Sequence, residues 1–333
     1  MDARLSPIVA SLLLCLAGAA AAPPAPAASS GAGILTLTFE NDTFAGRDRY
    51  YTSGQRVSWQ SRSGAPGPLA SAAARLAPWL VPADARVDWG VAVGQWMYTP
   101  RDRSARNPAR DERPYAGQLA ASLSLQAARE DALGLVELTL GVVGPAALAE
   151  EAQELMHDWL GEEPPNGWRR QIGNRPVAML TLERRWRLER VLGETLAVDL
   201  VPALGLHLGN VQTGAAAGAL LRIGRGLAMD FGPPRMRPAL SGLGFFEPPE
   251  RFAGYFFLGV EARALAYDAT LDGNRDGYWR VEREPLVGEL PFGLAFAWRG
   301  ARVAFTGTLQ TRTFEEQDSA PHAFGSLSVS FAF

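Results

Sequence analysis

The chain closes on SLSVSFAF, residues 326–333, in which Leu327, Val329, Phe331 and Phe333 alternate with Ser326, Ser328, Ser330 and Ala332. A period of two gives a strand one apolar and one polar face. Such a strand divides either a core from water or lipid from a polar lumen. The same alternation recurs upstream. Val136, Leu138, Leu140 and Val142 are set against Glu137, Thr139 and Gly141, and Leu196, Val198 and Leu200 against Ala197 and Asp199. Val303, Phe305 and Leu309 face away from Arg302, Ala304, Thr306, Thr308 and Gln310.

Three features choose lipid over a soluble sandwich. The strands run to about 10 residues, the length a tilted membrane-crossing strand needs. The last residue is an aromatic that closes an amphipathic strand, similar to the signal read by the assembly machinery of outer-membrane barrels. The N-terminus reads as a secretory signal over residues 1–28, with Arg4 as the positive region and Ile8 to Ala22 as the apolar one. Cys15 lies inside that run behind Leu14, a poor residue for lipoprotein processing, so the exported chain carries no thiol. Hydrophobic residues at 47% and charged ones at 20% exclude disorder and a bundle of long apolar helices. A net charge of -3 gives no basic footprint for nucleic acid, and all 32 basic residues are arginine, which removes lysine-based covalent mechanisms.

The expected strands are 33–40, 54–62, 87–95, 116–127, 133–143, 176–188, 195–206, 214–225, 255–266, 285–298, 301–312 and 323–333. The fold class is therefore all-β, a transmembrane antiparallel β-barrel of about twelve strands, an even number as in single-chain bacterial barrels. Residues 31–333 form this one domain. With both termini on the inner side, the connections after odd strands share the outer rim: Asn41 to Ser53, Trp96 to Tyr115 and Gly144 to Arg175. Two connections on the other side, 63–86 and 226–254, are longer than the usual turn, and the strand pattern assigns no role to PPRMRPALSGLGFFEPPERF within the second. In the third outer loop, Pro145 opens and Gly161 caps a short amphipathic helix of about four turns. Leu148, Ala152, Leu155, Met156 and Trp159 form its apolar face, and Glu150, Gln153, Glu154 and His157 lie opposite.

Chemistry has few carriers here. Only three histidines exist, His157, His207 and His322, and neither an HExxH zinc helix nor a GxSxG nucleophile elbow is present. Gln153 stands one helical turn before His157, and Glu163 lies just past the cap. Glu40, Asn41 and Asp42 supply hard oxygen donors of the kind calcium takes, though an Asx turn ending a strand uses the same residues. Asp272 to Gly277 begins like a calcium loop, but Arg283 stands where a bidentate glutamate belongs, so a solvated hairpin loop is expected. The stretch GQWMYTPRDRSARNP mixes aromatics, acids and arginines as a rim touching phosphorylated lipid would.

Taken together, FENDTF with YYTSG, GQWMYTP, RPYAG, GPAALAEEAQELMHDWLGEEPPNGW and GNVQTGAAAGALLRIGRGL with DFGPPR resemble the outer-membrane lipid A 3'-O-deacylases, in order over almost the whole chain. The resemblance implies a twelve-stranded barrel that uses calcium to hydrolyse the ester-linked 3' acyloxyacyl group of lipid A. It implies His157 and Gln153 as catalytic residues and Asn41, Asp42 and Glu163 as the metal site. Thr52, Ser53, Gln95 and Arg101 are the substrate-contact candidates. Glu163 is open to two roles, completing the metal shell or fixing the imidazole tautomer. Part of the family carries a functional lysine near the segment matched by GQWMYTP, and this chain has none; Arg101 and Arg103 are the cations nearby. The rival readings are an outer-membrane phospholipase, for which no serine–histidine pairing is visible, a passive structural barrel, and a retained fold that has lost activity.

Overall fold

The computed structural model describes residues 33–46, 49–161, 163–236, 239–240, 244–273 and 277–333. The signal segment and Asn274 to Asp276 of the acidic loop lie outside them. Twelve strands are joined in sequence as antiparallel neighbours: β1 (Gly33–Asn41), β2 (Tyr50–Ser61), β3 (Arg86–Thr99), β4 (Ala116–Ala128), β5 (Ala132–Val143), β6 (Arg175–Trp186, resumed over Leu188–Val191), β7 (Ala197–Gly209), β8 (Gln212–Arg225), β9 (Ala253–Asp268), β10 (Leu286–Trp298), β11 (Ala301–Gln310) and β12 (His322–Ala332). β12 returns to β1, with Ile34 opposite Ala332 and Asn41 opposite Gly325, so the sheet closes and no edge is left unpaired.

Alternation sorts the wall as expected. Glu137, Thr139, Asp199, Arg302 and Thr306 are buried inside, while Leu138, Leu140, Leu200, Phe305 and Leu309 are exposed outside. Buried charge under an exposed apolar band inverts the soluble pattern and fits a wall bathed in hydrocarbon. Tyr50 to Ser53, read from the sequence as loop, belongs to β2. Tyr50 packs edge-on against Phe314 and Tyr51 against Phe324, which extends the strand upward.

The Pro-rich connection after β8 folds back into the barrel as a plug. Asp230 is fully buried and accepts from Arg222 Nη1 at 2.7 Å, Arg302 Nη1 at 3.0 Å and the Tyr255 hydroxyl at 3.0 Å. Arg185 donates to the Phe231 carbonyl and Arg302 to that of Phe245; the Met236 and Leu240 N–H groups donate to Glu40 and Glu261. An irregular segment at membrane depth has no ladder of its own, so wall side chains must satisfy its backbone. Proline suits the role because each one removes a donor that would need a partner. The other long inner connection carries α1 (Gly67–Leu76), then buries Leu80 and Val81 with Leu125 and Ala127.

Candidate active site beneath the rim helix

The outer loop after β5 carries α2 (Ala149–Leu160), ended as expected by Gly161 in the left-handed region. Its orientation is the surprise. Ala149, Gln153 and His157, spaced by four, form the buried face, whereas Leu155 is 72% and Trp159 56% exposed. Gln153 and His157 turn to the barrel, while Leu155 and Trp159 look outward together with the exposed Glu151, Glu154 and Asp158. Among the acids left on the flank, burial raises the Glu150 carboxyl, with Glu154 and Glu151 adding to the effect.

Two motifs hold the helix this close. A Cβ at Gly117 of RPYAG would come within 2.5 Å of Ala149 Cβ, so only glycine lets the helix touch β4 there. A Cβ at Gly167 of PPNGW would fall 2.4 Å from the Tyr115 ring, which packs 4.9 Å from Trp168. At the start of the helix Gln95 Nε2 donates to the carbonyls of Ala147 (2.7 Å) and Leu148 (3.1 Å), and Gln95 Oε1 accepts from Gln55 at 2.8 Å. Gln95, a substrate-contact candidate by sequence, thus anchors α2.

Beneath the helix, Trp168 Nε1–H donates to Gln153 Oε1 at 2.7 Å. Indole only donates, so the amide orientation follows, and the buried Gln153 Nε2 is left with no hydrogen-bond partner among the described residues. His157 Nδ1 lies 2.7 Å from the Glu163 carbonyl, and Arg103 Nη1 lies 3.3 Å from Nε2. A guanidinium cannot accept, so Nε2 must carry the lone pair and Nδ1–H must donate to Glu163. The backbone of Glu163 therefore sets the tautomer, while its carboxylate side chain is exposed.

Strand register places the FENDTF turn relative to this cluster. Asn41 pairs with Ser53, Ser53 with Met97 and Met97 with Gly117, a single outward row from β1 to the strand under the helix. At strand spacing its ends are roughly 14 Å apart. In the two outward rows below, Leu119 and Leu327, then Leu37, Val57 and Val93, line with Leu148 of the loop an apolar groove of about 470 Å³ on the outer wall. Asn41 caps a 3-10 turn, Asp42–Ala45, by accepting from Thr43 N–H at 2.7 Å; the fully buried Asp42 accepts from Arg49 N–H. These amide and carboxylate oxygens fit a hard divalent cation in kind. Among the described residues no three His, Cys, Asp or Glu side chains converge on one point, so backbone, water or substrate oxygens would have to complete a shell.

The other candidates lie elsewhere. Thr52 shares a buried hydroxyl contact with Thr99 at 2.7 Å. Arg101 is exposed and turned to Asp318 at 2.9 Å and to Glu112; Asp318 and then Glu112 raise its already high pKa. Arg103, two residues on, is the cation that reaches His157. In the acidic loop Arg283 pairs with Asp272 at 3.0 Å, but the described part is not a solvated hairpin, since a short helix over Ala269–Asp272 buries Leu271, and Trp279 is buried beyond it.

A closed outer-membrane-type barrel with a polar cluster clamped between its wall and a loop helix defines the class. Within it, the chain belongs to the family described as outer membrane protein LpxR, whose profile matches residues 10–333. The fold is similar to that of LpxR from Salmonella typhimurium, with a TM-score of 0.73 at 19% identity over 90% of this chain and 100% of that one. The β-domain of the Bordetella autotransporter BrkA aligns at a TM-score of 0.45 and 12% identity, over 92% of this chain and 100% of that one. No curated protein sequence matches.

Proposed function

We propose that the protein is a calcium-dependent lipid A 3'-O-deacylase of the outer membrane, with His157 as general base. The observation that carries this reading is the imidazole itself: buried on the barrel side of α2, tied at Nδ1 to the Glu163 carbonyl, with Nε2 as the basic nitrogen. In that tautomer Nε2 takes a proton from water, which attacks the ester carbonyl without an enzyme nucleophile. The Nδ1–H bond steadies the imidazolium as it forms. The unpartnered Gln153 amide donor is suited to a carbonyl oxygen or the attacking water, with Trp168 fixing its direction. Asn41 and Asp42 would hold calcium, which when bound supplies electrophilic polarisation of the ester carbonyl. The outer-wall groove keeps acyl chains in hydrocarbon while the ester reaches the helix.

The test is mass spectrometry of lipid A from a Gram-negative strain expressing the chain. The expected product is lighter by the 3' acyloxyacyl substituent, and the change is abolished by a calcium chelator and by His157→Ala, with at least a roughly 100-fold loss of rate. Unchanged lipid A with folded protein and calcium supplied would sink the enzyme reading. Activity surviving in His157→Ala would sink the mechanism alone.

A further inference from the structure

We propose that the connection between β2 and β3 is a membrane-interface anchor, an amphipathic ledge on the outside of the barrel that seats on acidic phospholipid of the inner leaflet. It lies at the end of the barrel where Gly33 meets Phe333, opposite α2. α1 and the strap that follows it, through Val81, cover outward-facing wall. On β4, Ser124 and Gln126 are buried toward the lumen, so Leu125 and Ala127 share the outward side with the exposed Leu123. Yet Leu125 and Ala127 are buried, in one cluster with Ala73, Leu80 and Val81 and beside Trp89, Val136 and Leu182. The strap lies flat because β5 offers Gly134 beneath it, where a Cβ would collide with the Leu80 carbonyl. That same carbonyl accepts from Arg184 at 3.2 Å.

At about 100° per residue α1 has three sides. Ala70, Ala73 and Ala74 form the small-residue side against the wall. Leu69 and Leu76 share one flank, and Leu76 is 86% exposed; Ser71 and Arg75, also exposed, share the other. Water alone would leave the leucines unsheltered, and hydrocarbon alone would strand the arginine. The boundary between the two media suits both flanks.

Depth supports the same assignment. The outward tryptophans Trp59, Trp89, Trp186 and Trp298 sit at this end of their strands, Trp59 edge-on to Trp89 at 5.1 Å, and the half-exposed Trp79 of the strap joins them. An aromatic girdle of this kind marks the headgroup level. On β4, Gly117 beneath α2 and Ala127 beneath the strap are roughly 34 Å apart along the strand. A tilt of about 40° makes that roughly 26 Å along the membrane normal, against an apolar band of about 25 Å. α2 and α1 thus bracket one slab of hydrocarbon on the same face of the wall. Charge selects the lipid. Between Arg62 and Arg86 the sole acid is Asp84, which pairs with Arg129 at 3.1 Å. Arg62 and Arg75 are exposed and meet no carboxylate among the described residues. Two guanidiniums without counter-charge beside apolar anchors fit headgroups of net negative charge. The ledge does not depend on the barrel being an enzyme.

With Cys15, the sole cysteine, removed by Cys15→Ser, a single introduced thiol is unique in the full chain. A nitroxide is attached through Leu76→Cys or Ser71→Cys, and the barrel is refolded into bilayers of phosphatidylcholine with or without phosphatidylglycerol, its folding checked by the heat-modifiable band on gels. The label at position 76 should collide with oxygen in preference to a water-soluble nickel complex, and the label at position 71 should show the reverse. Should Leu76→Cys fail to fold, Leu69→Cys on the same flank takes its place with the same expectation. Nickel access at both flanks puts the ledge in water, and shielding of the leucine flank from both reagents puts it under protein; either result overturns the anchor. Phosphatidylglycerol should raise the oxygen preference at the leucine flank by about twofold or more, and Arg62→Gln with Arg75→Gln should abolish that rise. No rise, or a rise that survives the double variant, overturns the acidic headgroup as the ligand.

Discussion

The lumen and the outer wall of this barrel both bury polar groups, and they treat them in opposite ways. Inside, carboxylates meet guanidiniums: Asp230 with Arg222 and Arg302, and Glu289 with Arg235 and Arg263. Outside, under α2, one imidazole faces an arginine and one amide donor has no partner. The region richer in charge is the structural one. Charge in the lumen is mutually neutralised even though single nitrogens such as Arg235 Nε and Arg302 Nε have no hydrogen-bond partner among the described residues, whereas under α2 the open donor is a neutral amide beside a basic nitrogen, where a ligand can complete the network.

The sharpest way to break that contrast is Asp230→Ala. It leaves the buried Arg222 and Arg302 without this shared carboxylate and should cost about 3–5 kcal/mol. The check is the urea midpoint of the heat-modifiable folded band on gels; an unchanged midpoint would mean that the plug is not a structural element. Next, Gly117→Val should lift α2 from β4 and lower deacylation by about tenfold or more through misplacement of His157. The folded band should persist, and its loss would tie the rim to the barrel's stability. Trp168→Phe removes the donor that aims Gln153 and should cost about 1 kcal/mol in kcat/KM. Smallest, Leu155→Ser with Trp159→Ser should slow hydrolysis of lipid in membranes by a few fold and spare lipid dispersed in detergent. Equal slowing in both would place those side chains against protein.

Strand positions, their number and the C-terminal end of the rim helix were legible because alternation and Gly161 are local signals; Pro145 opens only a 3-10 turn, Pro145–Ala147, and Leu148 in the left-handed region delays the helix to Ala149. The helix's sidedness was not, since the usual inference from an apolar face to a protein core fails where the surroundings are hydrocarbon. The plug has no periodicity, and two of its anchors are distant in sequence, Arg302 on Asp230 across 72 residues and Glu40 on Met236 across 196. Nor could residue type reveal that Glu163 meets His157 through its backbone carbonyl, or that Arg103 and not Arg101 turns toward His157. Those facts depend on how two loops cross.

The plug also bears on the order in which this molecule is made. It is bonded to Glu40 on the first strand and to Arg302 on the eleventh, and the seam beside it joins Thr36 to Ser330 across 294 residues. A contact between the two ends of a chain is the slowest to find and is rewarded last. The Pro-rich segment can dock on β8 and β9 before that seam zips, so it serves as an internal template that gathers both ends of the chain. A segment outside the sheet would then govern how fast the sheet closes.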